Sequence, residues 1–334
     1  MSIRKGYLGP IVVAFALSLL PLAALTASNF GQGAPDFPLG AFSDGNHYRV
    51  SDFKGKVLVL FFYETACPKC RGTIPERNKL VEKYKDQPVK FIAVGAHEAL
   101  PSVMDYIQGT RLVMPTFADP FSVMEKRYGE SISLSNITQF KVIAPDGKVV
   151  GLEASESAMK RGLENAQWTF KKADYDPGLS KVLDLLEWNQ YEAGMKALAP
   201  LRTSSAKKPL AESAGKLYDV MKAEGQKWKE LADTETEKNP IHAYDLYTRI
   251  TACFPKDDLA KSVEAPLKKL TADPAVKDEL EARKMYAQLD AALQRATLAQ
   301  KNDVIGFCKK ITAKYPKTPT GEKVDAYLKE LTAK

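Results

Sequence analysis

Hydrophobic and polar positions follow two different rules along this chain. Between about residues 33 and 163, short apolar runs alternate with stretches of helical spacing. "KVLVLFFY" (Lys56 to Tyr63) is a continuous apolar run, as expected of a central strand buried on both faces. "VKFIAVGA" (Val89 to Ala96) is a second such run. Between them, "PKCRGTIPERNKLVEKYKD" carries its apolar residues at helical spacing through Ile74, Leu80, Val81 and Tyr84. Strand, helix and strand in succession predict a βαβ unit with parallel pairing. Helices over "LPSVMDYIQ" and "DPFSVMEKRYG" follow, then strands over "TQFKVIA" and "KVVGLE" joined by a Pro-Asp-Gly turn, a hairpin signal. Upstream, "APDFPLGAFSDGNHYRVSDFKGK" predicts a short hairpin that turns at Asp44-Gly45 and leads into the central strand.

From about Asp176 onward strand signals vanish and helical periodicity takes over. "ITACFPKDDLAKSVEAPLKKLTA" (Ile250 to Ala272) aligns without a gap to "ITAKYPKTPTGEKVDAYLKELTA" (Ile311 to Ala333), at an offset of 61 residues. Each copy predicts a helix stopped near an aromatic-Pro pair, a polar link and a second helix. That is the grammar of helical hairpins, as in tetratricopeptide-type solenoids. The stretch from Lys181 to Glu224 is a candidate degenerate first copy.

The first 28 residues are a different substance. Arg4 and Lys5 precede "PIVVAFALSLLPLAALTA", an uncharged apolar run ending in small residues. This pattern predicts an export leader. A retained membrane anchor is the competing reading, since Leu25 is a poor residue three positions before a cut after Ala27. No cysteine follows the run, which argues against a lipoprotein. Either way the folded part is expected outside the cytoplasm, where disulfides persist. Over the 334 residues, a hydrophobic fraction of 45%, a charged fraction of 27% and a net charge of +7 are ordinary for a folded protein. No basic stripe with stacking aromatics is present, so nucleic acid is not an expected partner.

Cys67 and Cys70 stand three positions apart where the first strand hands over to the first helix. Free amides and the positive dipole end at a helix start stabilise a thiolate at Cys67. Lys69 and Arg71 add positive charge, and Pro68 suits the first helical position. Cys70, one turn inside, would be the resolving thiol in thiol–disulfide exchange. Two other readings stand beside this one. A structural disulfide would close too small a loop to constrain the unfolded chain much. A zinc site would need about two more ligands, for which His97 and His47 are the candidates. Cys253 and Cys308 are expected to be buried, inert thiols, or else a disulfide between them.

"GAPDF", "VSDFKGKVLVLFF", "CPKCRGTIPERNKL" and "FKVIAPDGKVV", in that order, resemble exported thioredoxin-like proteins of the TlpA/ResA and AhpC/TSA (redoxin) superfamily. The resemblance covers about Gly33 to Leu163. It implies an α/β thioredoxin-like domain over residues 29–174, with a central mixed sheet flanked by helices; the helical periodicity and the repeat predict an all-α, TPR-like domain over 175–334. It also implies a redox-active Cys67–Cys70 disulfide and exchange with exported proteins, often in cytochrome maturation. Pro75 matches the proline that kinks the family's active-site helix. Three positions depart from the pattern. Ala66 replaces a tryptophan, Phe61 replaces a buried proton-handling aspartate, and Thr138, after Ile137, stands where a cis-proline is expected. Glu64 is the nearest carboxylate able to substitute for that aspartate. A peroxiredoxin would carry threonine three before its cysteine, where this chain has Glu64, with Thr65 one residue too late.

The expected activity is thus thiol–disulfide oxidoreduction on protein substrates, without cofactor or bound metal. A recycling redox partner is implied, and the helical part is expected to bind a protein. Contact with a membrane is expected only through the first 28 residues. The expected location is the periplasm, free or anchored to the inner membrane. The competing class is a non-catalytic adaptor, or a metal-handling protein, built on the same fold.

Overall fold

A computed structural model describes residues 29–132, 139–203 and 208–333. The leader and the expected site positions Ile137 and Thr138 lie outside them. Six strands form one mixed sheet: β1 (Ala41–Phe42), β2 (Val57–Tyr63), β3 (Val89–Ala96), β4 (Thr116–Asp119), β5 (Gln139–Ile143) and β6 (Val149–Gly151). Their spatial order is β1-β4-β3-β2-β5-β6. β2, β3 and β4 run parallel, whereas β1, β5 and β6 pair antiparallel to their neighbours. The helices of this part are α1 (Pro68–Lys83), α2 (Leu100–Thr110), α3 (Val123–Tyr128) and α4 (Glu156–Leu163).

β2 is fully buried along its length, which is why seven successive apolar residues were needed there. Parallel strands share one carboxyl edge, and connecting loops that leave it converge. The chain leaves β2 toward Cys67, β3 toward His97 and β4 toward Ser122, so these three residues gather at that edge.

Two local expectations are corrected. The Asp44-Gly45 turn forms, with Gly45 at φ 71° and its amide donating to the Phe42 carbonyl. No returning strand follows it among the described residues, because β1 pairs with β4 instead. Asp44 is held by Asn46 and Tyr48, and the chain then enters a 3-10 turn over Val50–Phe53. β4 itself had no counterpart in the apolar pattern. It is four residues long, sits between Pro115 and Pro120, and its only charged residue, Asp119, is buried.

The rest of the chain is helical: α5 (Ser180–Glu187), α6 (Tyr191–Arg202), α7 (Lys208–Glu235), α8 (Pro240–Cys253), α9 (Asp258–Ala272), α10 (Pro274–Leu293), α11 (Lys301–Lys314) and α12 (Pro319–Thr332). The two sequence copies become the α8–α9 and α11–α12 hairpins. Phe254 and Tyr315 end the first helices with nearly the same backbone (φ −124°, ψ 48° and φ −130°, ψ 53°). Asp257 and Thr318, again matching positions, cap the second helices through their side chains. The stretch from Lys181 to Glu224 forms most of α5, α6 and part of α7.

The helical part is joined to the sheet at two places. Lys56 and Glu187 form a buried ion pair at 2.9 Å, and Glu187 also accepts the amides of Thr169 and Phe170. At the other place, Leu39, Phe121 and Val123 share an apolar core with residues of α10, α11 and α12. Arg127 completes this contact with two 2.7 Å bonds to Glu330 and a third to the Asp36 carbonyl. Cys253 and Cys308 are free, buried thiols in separate cores, and burial pushes each up to about 11.

Candidate active site

Cys67 is the residue that caps α1. Its backbone is extended (φ −84°, ψ 108°), and its Sγ accepts the Cys70 amide at 3.1 Å. Pro68 follows at the first helical position, where a missing N–H costs nothing. The two sulfurs are unequal. Cys67 keeps a little exposure between the exposed Ala66 and Pro68, whereas Cys70 is fully buried beneath the first turn. The Cys70 thiol is pushed up to about 11, first by burial and then by its hydrogen bond with Cys67. The Glu64 carboxylate pushes in the same direction, and the Glu64 backbone opposes it. Lys69 lies exposed in the first turn of α1, and Pro75 lies exposed within the helix.

Beneath α1, where the family resemblance calls for a buried aspartate, runs a row of aromatic rings. Phe140, Phe61, Tyr63 and Tyr106 follow each other with centroids 5.1, 5.9 and 4.5 Å apart. Guanidinium groups cover both ends: Arg77 lies 4.5 Å from the Phe140 ring and Arg71 lies 5.3 Å from Tyr106. Burial holds Arg77 below the usual guanidinium range. This side of the thiols therefore offers rings and cations, and no carboxylate among the described residues enters the row.

The carboxylates stand on the other side. Glu98 accepts both the amide and the hydroxyl of Thr65, which pins the loop just before Cys67. Glu64 faces His97, whose Nε2 lies 3.7 Å from Oε1. The same Nε2 lies 2.8 Å from the buried Glu125, and Nδ1 lies 2.8 Å from the Ser122 hydroxyl. Burial raises the Glu64 carboxyl, Glu125 and Glu98 add to the rise, and His97 opposes it. His97 and Ser122 both adopt left-handed backbones (φ 60° and 57°), which are uncommon outside glycine. Below them, Asp119 accepts the amides of Val123, Met124 and Glu125, yet burial outweighs these donors and pushes its carboxyl up to about 7.

The structure thus brings Glu64, Cys67, Pro68, Lys69 and Cys70 together, with Pro75 further along the same helix. His97 was expected only as a metal candidate, and Glu98, Ser122 and Glu125 were not expected at all. Their one sequence signal is position, each falling within a few residues of the carboxyl end of β3 or β4. His47 is not among them, since it lies 3.9 Å from Asp290 of α10. Among the described residues, no three His, Cys, Asp or Glu side chains form a group able to hold a metal ion.

The redoxin family profile matches residues 30–166. A thiol-disulfide oxidoreductase ResA of Geobacillus thermodenitrificans is 30% identical over 131 residues, 36% of this chain and 75% of that protein. The chain belongs to the redoxin family. Another relative of this redoxin, ResA of Bacillus thuringiensis subsp. konkukian, is 35% identical over 120 residues. There the chain spans 66% of the relative's length, and the alignment covers 36% of the redoxin itself. A solved thiol:disulfide interchange protein from Chlorobium tepidum matches at 24% identity with a TM-score of 0.33, over 40% of this redoxin and 94% of that chain.

Proposed function

We propose that this redoxin is an extracytoplasmic thiol–disulfide oxidoreductase acting on protein substrates through Cys67 and Cys70. Cys67 is the nucleophile and Cys70 resolves the mixed disulfide. The observation that carries this reading is the 3.1 Å bond from the Cys70 amide to the Cys67 sulfur at the start of a helix. That bond fixes the outer sulfur at the start of the helix, where a substrate disulfide can reach it. The inequality of the sulfurs supports the division of labour, because the outer one meets the substrate and the buried one waits. Pro68 starts the helix, Lys69 contributes positive charge, Glu64 shapes the proton environment and Pro75 shapes the helix behind the pair. Ile137 and Thr138, which the family resemblance assigns to the site, lie outside the described residues. The ResA names of the relatives agree with this reading.

Residues 1–28 would serve as export leader or inner-membrane anchor, 29–174 as the redox domain and 175–334 as a TPR-like domain offering a surface to a protein partner. Among the described residues, no helix is long and apolar enough to cross a membrane. Reduction of disulfides in a model protein tests the proposal. Cys67→Ser abolishes turnover, and Cys70→Ser accumulates a mixed disulfide on Cys67. Unchanged turnover in Cys67→Ser would leave a non-catalytic adaptor as the better reading.

A further inference from the structure

Attack by Cys70 on the mixed disulfide requires its thiol to lose a proton, and the position of the usual buried carboxylate holds Phe61 between Tyr63 and Phe140. A replacement base has to come from the groups around the sulfurs. The carboxylates at this edge of the sheet are Glu64, Glu98, Glu125 and Asp119. Glu98 is engaged by the Thr65 amide and hydroxyl, Asp119 by three amides of α3, and the buried Glu125 by His97 at 2.8 Å and the Ile132 amide. Glu64 remains. Its backbone carbonyl accepts the Cys67 amide at 3.3 Å, its charge acts on the Cys70 sulfur, and its side chain lies 3.7 Å from His97. His97 continues to Glu125 at 2.8 Å and is itself half exposed, so a proton delivered to it has a way to solvent.

We propose that Glu64 is the base for Cys70, and that His97, oriented by Glu125 and Ser122, relays the proton outward. This rests on the oxidoreductase reading above. In the step, the Cys70 S–H bond breaks and its proton passes to the Glu64 carboxylate. The Cys70 thiolate attacks Cys67 Sγ, so the Cys67–Cys70 bond forms and the bond from Cys67 to the substrate sulfur breaks. The substrate leaves as a thiolate and takes a proton from water. The two cysteines are oxidised and the substrate disulfide is reduced, so electrons balance without a further reagent. Glu64 passes its proton to His97 and returns to carboxylate.

The surroundings suit this role. Glu64 is faced by Cys67 and Cys70 from α1, His97 and Glu98 from the β3 edge, and Glu125 from α3; Tyr63, Tyr106 and Arg71 complete the ring around the sulfurs. Burial and the neighbouring carboxylates raise Glu64 toward the working pH, as a base requires. His97 and Ser122, both with left-handed backbones, meet through their side chains at 2.8 Å, and such strain concentrates at functional sites.

The test uses the full chain in its reduced form and a chromogenic aromatic disulfide. Attack by Cys67 releases one coloured thiolate and resolution by Cys70 releases a second. His97→Asn keeps a residue that tolerates a left-handed backbone. Glu64→Gln keeps shape without basicity. Both variants are expected to slow the second release by about tenfold or more near pH 6, with a far smaller effect on the first. The gap should narrow only as the pH approaches about 11, where Cys70 ionises unaided. Second-release rates and pH profiles equal to wild type in both variants overturn the relay. If the wild-type chain fails to give either release, the oxidoreductase reading falls, and the relay with it.

Discussion

Asp119 shows at the residue scale how burial and hydrogen bonding compete for one proton. Three backbone amides favour its carboxylate, but burial wins and raises it from the ordinary 3.8 to about 7. The folded chain therefore keeps a proton that the unfolded chain gives up. The stability contributed by this protonated group is complete below about pH 4 and is lost as pH rises through about 7. Asp119→Asn removes that loss while retaining an acceptor for the α3 amides. Urea unfolding should show the variant gaining on wild type between about pH 4 and pH 7 and levelling off above, and a constant difference would refute the assignment. Cys67, Cys70 and the absent aspartate at Phe61 were legible from sequence because they sit at fixed distances within one motif. His97 was not, because its meaning depends on Glu64 and Ser122, which lie 33 and 25 positions away and meet it only across the sheet edge.

At the scale of elements, the pattern carried far where periodicity was long and failed where elements were short. β2, β3, α1 and both repeated hairpins stand where apolar spacing predicts them. The two-residue β1 and four-residue β4 contain too few residues to show a period. Pairing between them, across about 75 positions, decides their structure. The repeated hairpins share their terminators but close differently. Gly321 opens the first turn of α12, and a Cβ there would lie 1.8 Å from the Tyr315 carbonyl oxygen. The matching residue in α9 is Ala260, so the earlier hairpin has room for a methyl group. Gly321→Ala is expected to destabilise the chain by about 2 kcal/mol or more, read as a lowered midpoint of thermal unfolding. A midpoint equal to wild type would show that the hairpin can open without cost.

At the scale of the whole molecule, the helical part reaches the redox edge through α3. Phe121 and Val123 lie in one core with α10, α11 and α12, and α3 also carries Glu125 to His97. On the far side, Lys56 and Glu187 are both nearly buried, and breaking such a pair by removing one partner costs about 3–5 kcal/mol. Both contacts join residues more than a hundred positions apart. Sequence spacing therefore revealed that two parts exist, but not that they meet. The site itself belongs to the α/β part, and its chemistry rests on two sulfurs. The most direct measurement is a redox titration of the full chain, with alkylation and mass spectrometry reporting Cys67 and Cys70 separately from Cys253 and Cys308. The predicted result is a reversible two-electron transition confined to Cys67 and Cys70. A midpoint near about −270 mV would mark a reductase and one near about −120 mV an oxidase. Failure of Cys67 and Cys70 to form a reversible disulfide at any poise would contradict the account.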